Sequence, residues 1–240
     1  VSFSFHAGGT FLDLIYLIHF LFFLKLKKNK KKNFSYNTIS IYLGLLAFFL
    51  SGGFALQQYS LLYTDVANAA IFTIFYVLIV PALSYFLFSK KIHWSVWPAV
   101  FVCIIGGFLL TEIDNVSVRL GDTLVLLGAF FWAFHIVYLS KFLKLFNYPI
   151  AITMGTCLIG SIIAFIPSLA FENITLGNLL LEKNELLYAG VLSSGIAFLL
   201  QALSQQNLSP APVAIIFSLE GVFAAIFGWI ILNQFLSELK

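Results

Sequence analysis

Charge is the property this sequence has least of. Aspartate, glutamate, lysine and arginine make up 10% of its 240 residues, and hydrophobic residues make up 61%. A soluble domain is about a quarter charged, so the chain lacks the polar side chains to coat a globule, and the bilayer becomes its natural solvent. Cysteine is nearly absent. Cys103 and Cys157 both fall inside apolar runs, where a thiol reads as a small packing residue rather than half of a disulfide or a metal pair. The four histidines, His6, His19, His93 and His135, are scattered and share no ligand spacing, so no metal and no cofactor is expected. Arginine occurs once, and no lysine or arginine lies deep in an apolar run. Carriers of phosphorylated cargo hold phosphate with buried cations, which leaves neutral, zwitterionic, cationic or amphipathic cargo. The first apolar run does not read as a signal peptide either, because "KLKKNKKKN" (25–33) follows it instead of preceding it. With spans on both flanks, that lysine run reads as an anchor at anionic headgroups. A nucleic-acid patch would need a soluble setting, and no nucleic-acid partner is expected.

What the chain does have is apolar length. A spanning helix needs about 20 predominantly apolar residues, and breaks at polar residues give eight candidate helices. They run over 7–24, 38–58, 66–88, 95–111, 121–140, 149–171, 185–206 and 210–232. Lysines are unevenly shared between the two sets of connections. Lys25, Lys27, Lys28, Lys30, Lys31 and Lys32, then Lys90 and Lys91, then Lys141 and Lys144 follow the first, third and fifth helices. Asp65, Glu112, Asp114, Asp122, Glu172, Glu182, Glu185 and Glu238 gather on the opposite side with Arg119, Lys183 and Lys240. Basic loops stay cytoplasmic, so the lysine-rich loops face in and both ends of an eight-helix chain face out. The expected location is the cytoplasmic (inner) membrane.

The third and eighth helices resemble each other. In "NAAIFTIFYV" (68–77) and "VAIIFSLEGV" (213–222), Ala69, Ile71, Phe72 and Val77 match Ala214, Ile216, Phe217 and Val222, and Thr73 faces Ser218. The helices before them end alike, in "ALQQYSLLYT" (55–64) and "LLQALSQQNLS" (199–209). A separation of five helices reverses direction through the membrane, which is the inverted-topology plan of secondary transporters. The fold class expected is therefore an all-α membrane protein, an inverted-repeat helical bundle with eight spans of an expected ten. Residues 1–118 form the first repeat without its first helix, and 119–240 form the second without its last. The absent mates belong before Val1 and after Lys240.

From about residue 38 onward the chain resembles the drug/metabolite transporter superfamily, EamA type. "ALQQYSLLYTDVANAAIFTIFYVLIVP" (55–81), "GDTLVLLGAFFWAFHIVYLSK" (121–141) and "SSGIAFLLQALSQQNLSPAPVAIIFSLEGVFAAIFGWIILNQFLS" (193–237) carry the likeness. The resemblance implies ten spans with cytoplasmic ends and transport of a small molecule. Two departures stand out. Where the family often has Glu-Pro-Val, this chain has Glu220-Gly221-Val222, and the first family helix, which helps line the cavity, is missing.

Candidate site residues follow from polarity inside apolar runs. Glu220 sits in "SLEGVFAAIFGWII" (218–231), where a charge costs about 2.5–3.5 kcal/mol at mid-membrane. It either binds a proton or cation in a water-filled path, or bonds a neighbouring helix near the bend at Gly221. Asp13 is a second candidate for proton coupling, with Tyr16 on its face; an interfacial acid near water is the alternative. Gln57, Gln58, Gln201 and Gln205 end repeat-related helices, either bonding other helices or presenting amides to a substrate. Trp132 and His135 share a helix face, and Tyr76 lies near the repeat position of Gly221. These aromatics either line the path of an amphipathic cargo or simply pack. The paired glycines at 8–9, 52–53 and 106–107 permit close helix approach or hinge motion. Asn173-Ile174-Thr175 is a formal glycosylation sequon.

The expected function is export of a small metabolite, amino acid or amphipathic drug by alternating access, with no enzyme chemistry. The expected partners are a small-molecule substrate and the lipid bilayer. A membrane-embedded lipid enzyme is the first alternative, but it needs grouped acids or a nucleophile beside a base, and the acids within these spans are single and far apart. The second alternative is a non-transporting, incomplete copy, or one that completes itself as a homodimer.

Overall fold

In a computed structural model of the protein, residues 36–64, 69, 72–89, 92–109, 120–171, 176–181, 183–220 and 223 are described. All regular structure among them is helical. The elements are α1 (Tyr36–Ser60), α2 (Tyr76–Phe88), α3 (Val96–Leu109), α4 (Leu120–Phe146), α5 (Pro149–Phe171), the short α6 (Leu176–Leu181) and α7 (Lys183–Leu187), a π-helical stretch (Tyr188–Ile196), α8 (Ala197–Gln205) and α9 (Pro210–Phe217). The expected span 7–24, with Asp13 and the lysine run, lies outside the described residues, as does most of 210–232 beyond Glu220.

Three segments are long and apolar enough to cross a bilayer: Asn37–Ser60 with 24 residues, Leu120–Phe146 with 27 and Pro149–Pro167 with 19. At 1.5 Å per residue the shortest is about 28 Å long, close to the ~30 Å hydrocarbon thickness. Phe72–Phe88 and Val96–Gly106 are shorter apolar helices. This is an integral membrane protein. The faces of α1 show how lipid and protein share a helix. Leu43, Leu46, Ala47 and Leu50 are buried, and Ile41, Leu45 and Phe48 are exposed at three- and four-residue steps. Both faces are apolar, as expected where the outer solvent is hydrocarbon.

Helix limits follow local chemistry. Asn147, at φ 48°, takes the left-handed conformation that asparagine tolerates. Its N–H closes on the Leu143 carbonyl at 2.7 Å, and Pro149 then opens α5, where a missing N–H costs nothing. Pro210 opens α9 in the same way, after extended Ser209. Pro81 sits inside α2 and is fully buried; spanning helices tolerate such a break because neighbouring groups re-satisfy the freed carbonyl.

One helix is longer than expected. The apolar count ended at residue 140, but α4 continues to Phe146, so Lys141 and Lys144 lie on its last turns and not in a loop. A lysine stem is itself apolar and is tolerated at the end of an apolar helix, and a cation at a helix C-terminus is favourable. The helix 185–206 also begins earlier, at Lys183 with α6 just before it, and is interrupted by the π-helical stretch.

The chain divides into two compact units: Val1–Ser51 with Tyr138–Asn207, and Gly52–Val137 with Leu208–Lys240. Each draws on both halves of the sequence, so compactness does not follow the expected boundary at 118. A repeat is a relation of sequence and direction and need not be a compact body. In the first unit, Leu43 and Leu46 of α1 pack with Leu139, Phe142 and Leu143 of α4, Ile152 of α5 and Ala202 of α8. Tyr42 stacks on Phe142 with ring centroids 5.0 Å apart, and Ser51 Oγ donates to the Gly160 carbonyl at 3.2 Å. In the second unit, Tyr76, Val77 and Val80 of α2 pack with Val96 and Val100 of α3, Ala129 and Ala133 of α4, and Ala211, Val213 and Ala214 of α9. Alanine recurs in the second cluster, at 129, 133, 211 and 214, where a small side chain lets helices in lipid approach closely.

Candidate functional site

Inside the second unit, the glycine pair 52–53 brings α1 against α4. A Cβ on Gly53 would stand 3.2 Å from the Trp132 indole, and one on Gly52 would stand 2.3 Å from the Phe131 ring. Two aromatic side chains therefore lie directly on the α1 backbone. Close approach, one of the two roles foreseen for this pair, is what these glycines provide. At Gly106 a Cβ would meet nothing within 4 Å.

Trp132 is fixed in this notch. Its Nε1–H donates to Gln57 Oε1 at 3.3 Å, and Phe54 meets the indole edge-on at 4.8 Å and 76°. His135, one turn further along α4, stands perpendicular to it at 6.4 Å and 90°. Gly53 and Gln57 are four residues apart on α1, and Trp132 and His135 three apart on α4, so each pair shares a face. His135 is buried and Trp132 and Gln57 are half-buried. An amide, an indole and an imidazole are thus gathered between two long apolar helices. They offer donors, acceptors and an aromatic face, with no fixed charge among them.

Tyr76 is buried in the same unit, within the cluster formed with Ala129 and Ala133. Its phenol lies within electrostatic reach of Glu220 and Cys103. Ser218 Oγ donates to the Ile215 carbonyl at 2.7 Å and approaches Cys103 Sγ at 3.2 Å. Glu220 is exposed, just past the end of α9. The carboxylate that stood out in the sequence therefore lies within electrostatic reach of the Tyr76 phenol.

The remaining candidates separate. Gln58 is exposed. Gln201 and Gln205 are buried, and belong to the first unit. Asp13 lies outside the described residues. Among the described residues no group of three His, Cys, Asp or Glu side chains could hold a metal ion.

Asp122 was assigned by sequence to the outward-facing acids, and its burial was missed. It is 1% exposed in the first turn of α4 and accepts a short hydrogen bond from Thr64 Oγ1. A carboxylate there is favoured by the helix dipole. The preceding Gly121 makes the approach possible, because a Cβ would stand 2.7 Å from the Ser60 carbonyl oxygen. Gly-Asp at a helix start was the available signal.

Comparison with known proteins places this geometry in context. The chain matches the EamA-like transporter family over residues 2–112 and 119–240. It is similar to an uncharacterized transporter of Archaeoglobus fulgidus, 25% identical over 237 residues that cover 90% of this chain and 75% of that relative. It is also similar to an uncharacterized transporter of Methanothermobacter thermautotrophicus, 32% identical over 181 residues that cover 71% of this chain and 51% of the relative, so it spans about half of that protein. A solved crystal structure superposes with a TM-score of 0.72 at 14% identity, over 98% of this chain and 78% of the other, which shows a shared fold.

Proposed function

The chain belongs to the EamA-like transporter family, and from that premise we propose that this membrane transporter, which is not an enzyme, exports a small metabolite, amino acid or amphipathic drug across the cytoplasmic membrane by alternating access. The observation that carries the reading is the Gln57–Trp132–His135 group, an uncharged polar and aromatic cluster set among spanning helices. Polar side chains at membrane depth mark substrate or ion paths when they face protein or water. An amide beside an indole suits a cargo with one polar end and one apolar end.

The substrate pathway includes Gln57, Gln58, Tyr76, Trp132, His135, Gln201, Gln205 and Glu220. Two sequence repeats, 1–118 and 119–240, run in opposite directions, and their exchange of roles supplies the inward- and outward-open states. The likeness of 68–77 to 213–222 supports this arrangement. Glu220 takes up a proton during the cycle, and Asp13 is the second coupling candidate. The Tyr76 phenol within electrostatic reach of Glu220 supports a group that gains and loses a proton there, since a phenol both donates and accepts hydrogen bonds. The lysine-rich loops face the cytoplasm.

The test is reconstitution into proteoliposomes loaded with amino acids or cationic dyes, with and without an imposed pH gradient. Flux that rises with the gradient and falls in Glu220→Gln supports coupled export. Flux that ignores both removes proton coupling, and no flux of any of these compounds removes the assigned cargo.

A further inference from the structure

In the first unit, α8 carries a side chain whose burial has no matching hydrogen bond. Gln205 is 0% exposed, and neither its Nε2 nor its Oε1 has a hydrogen-bond partner. Two hydroxyls of the same unit share this condition: Ser140 Oγ on α4 and Thr156 Oγ1 on α5 are buried without partners. Thr153 and Gln201 are buried beside them in sequence.

The three helices that carry these groups meet at one packed contact. Leu139, Ile152 and Ala202 belong to one packed cluster and mark where α4, α5 and α8 meet. Ser140 is one residue from Leu139, Thr156 four from Ile152, and Gln205 three from Ala202. At about 1.5 Å of rise per residue, each lies within about 6 Å of that contact along its own helix. Leaving a buried polar group unpaired is expensive, and a native protein keeps such a group where a function needs it.

We infer that the face shared by Ser140, Thr156 and Gln205 is a binding subsite for a neutral group that both donates and accepts hydrogen bonds, a hydroxyl or a carboxamide. The inventory of the side chains selects that chemistry. Gln205 needs an acceptor for Nε2 and a donor for Oε1, and the two hydroxyls offer both roles. A bare cation would serve Oε1 and leave Nε2 unpaired, an anion would do the reverse, and none of the three side chains carries a charge to neutralise either. A neutral amphoteric group satisfies every atom. The subsite is sealed in this structure, and the backbone before it supplies a way to open. The helix leading into α8 is π-helical over nine residues, Tyr188–Ile196, none of them buried. π-helical segments occur often at functional sites. A one-residue change of hydrogen-bond register turns the following α-helix by about 100°, which carries Gln205 off the packed face.

This subsite assigns a substrate class to the transport reading above and rests on it. The test is saturation-transfer NMR on the full chain in detergent, with acetamide, ethylene glycol, tetramethylammonium and acetate as probes. Acetamide and ethylene glycol are expected to bind competitively with each other, and the two ions not to displace them. In Gln205→Leu and in Thr156→Val the acetamide Kd rises at least about tenfold, the loss of one or more buried hydrogen bonds. The free Gln205→Leu protein melts no lower than the parent, because an apolar side chain replaces an unpaired amide. Unchanged acetamide binding in both variants overturns the subsite, and so does a Gln205→Leu protein that melts far lower or fails to fold, which makes Gln205 a structural residue. Acetamide flux into proteoliposomes separates the two readings. Binding without flux removes transport of this class and keeps the subsite; flux unaltered by either variant removes the subsite and keeps transport.

Discussion

Trp132 is held from three directions: by the Gln57 amide at its nitrogen, the Phe54 ring at its edge, and the bare Gly53 backbone beneath it. Trp132→Phe keeps an aromatic ring and loses the N–H, leaving Gln57 Oε1 short of a donor. Its cost is about 1–3 kcal/mol of stability, read as a lower Tm in detergent, with reduced flux in liposomes. Gly121 is stricter. A methyl group there meets the Ser60 backbone oxygen at 2.7 Å, and a backbone atom moves less readily than a ring. Gly121→Ala is expected to destabilise by about 1–3 kcal/mol through overpacking, while Gly106→Ala, with open space around it, leaves Tm unchanged or raises it. Equal melting of the two variants would show that α4 does not dock on the end of α1 as described. Asp122 shows where residue-scale reading from sequence fails: a carboxylate near a span end looks solvated until its Thr64 partner is known, and that partner is 58 positions away.

At the scale of elements, several helices were legible because apolar length is what a bilayer demands. The expected 149–171 coincides with α5, and 38–58 and 95–111 differ from α1 and α3 by two residues or fewer at each end. The end of α4 was not legible, since a lysine ends an apolar count but not a helix: its stem is apolar and its charge suits a C-terminus. The π-helical stretch was hidden for a different reason. Hydrophobic periodicity distinguishes faces only when one face meets water, and no residue of "YAGVLSSGI" is buried to mark a protein-facing side. Its Gly190, Ser193, Ser194 and Gly195 were the signal, since small residues let a backbone leave the α register. Deleting Ser194 removes the extra residue that an i→i+5 stretch accommodates. The shortened chain is expected to fold with unchanged helical circular dichroism and to lose most of its flux. Retained flux would show that the π-helical winding has no part in the cycle.

For the whole molecule, the strongest sequence signal was the uneven distribution of lysine, and it leads to a direct expectation. In a background with Cys103 and Cys157 replaced by alanine, Lys30→Cys is labelled by an impermeant maleimide only after the cytoplasmic side is opened. Asp114→Cys is labelled in intact cells. Labelling of both from one side would invert the reading of the entire chain, because every span direction follows from those loops. Membership of the transporter family was legible from motifs at 55–81, 121–141 and 193–237, and the family match over 2–112 and 119–240 bears it out. The grouping of the candidate residues was only partly legible. Gln57, Trp132 and His135 come together in one unit, but a sequence cannot say that Gln201 and Gln205 belong to another.

The setting of Trp132 also makes the protein its own optical reporter. Trp94 is 74% exposed and Trp97 45% exposed, so both are open to iodide or to brominated lipid. The indole at 132, tied to an amide and beside an imidazole, is half-buried and so less open to such quenchers. Once Trp94, Trp97 and Trp229 are replaced by phenylalanine, the emission of Trp132 is a label-free gauge of any molecule that arrives beside it.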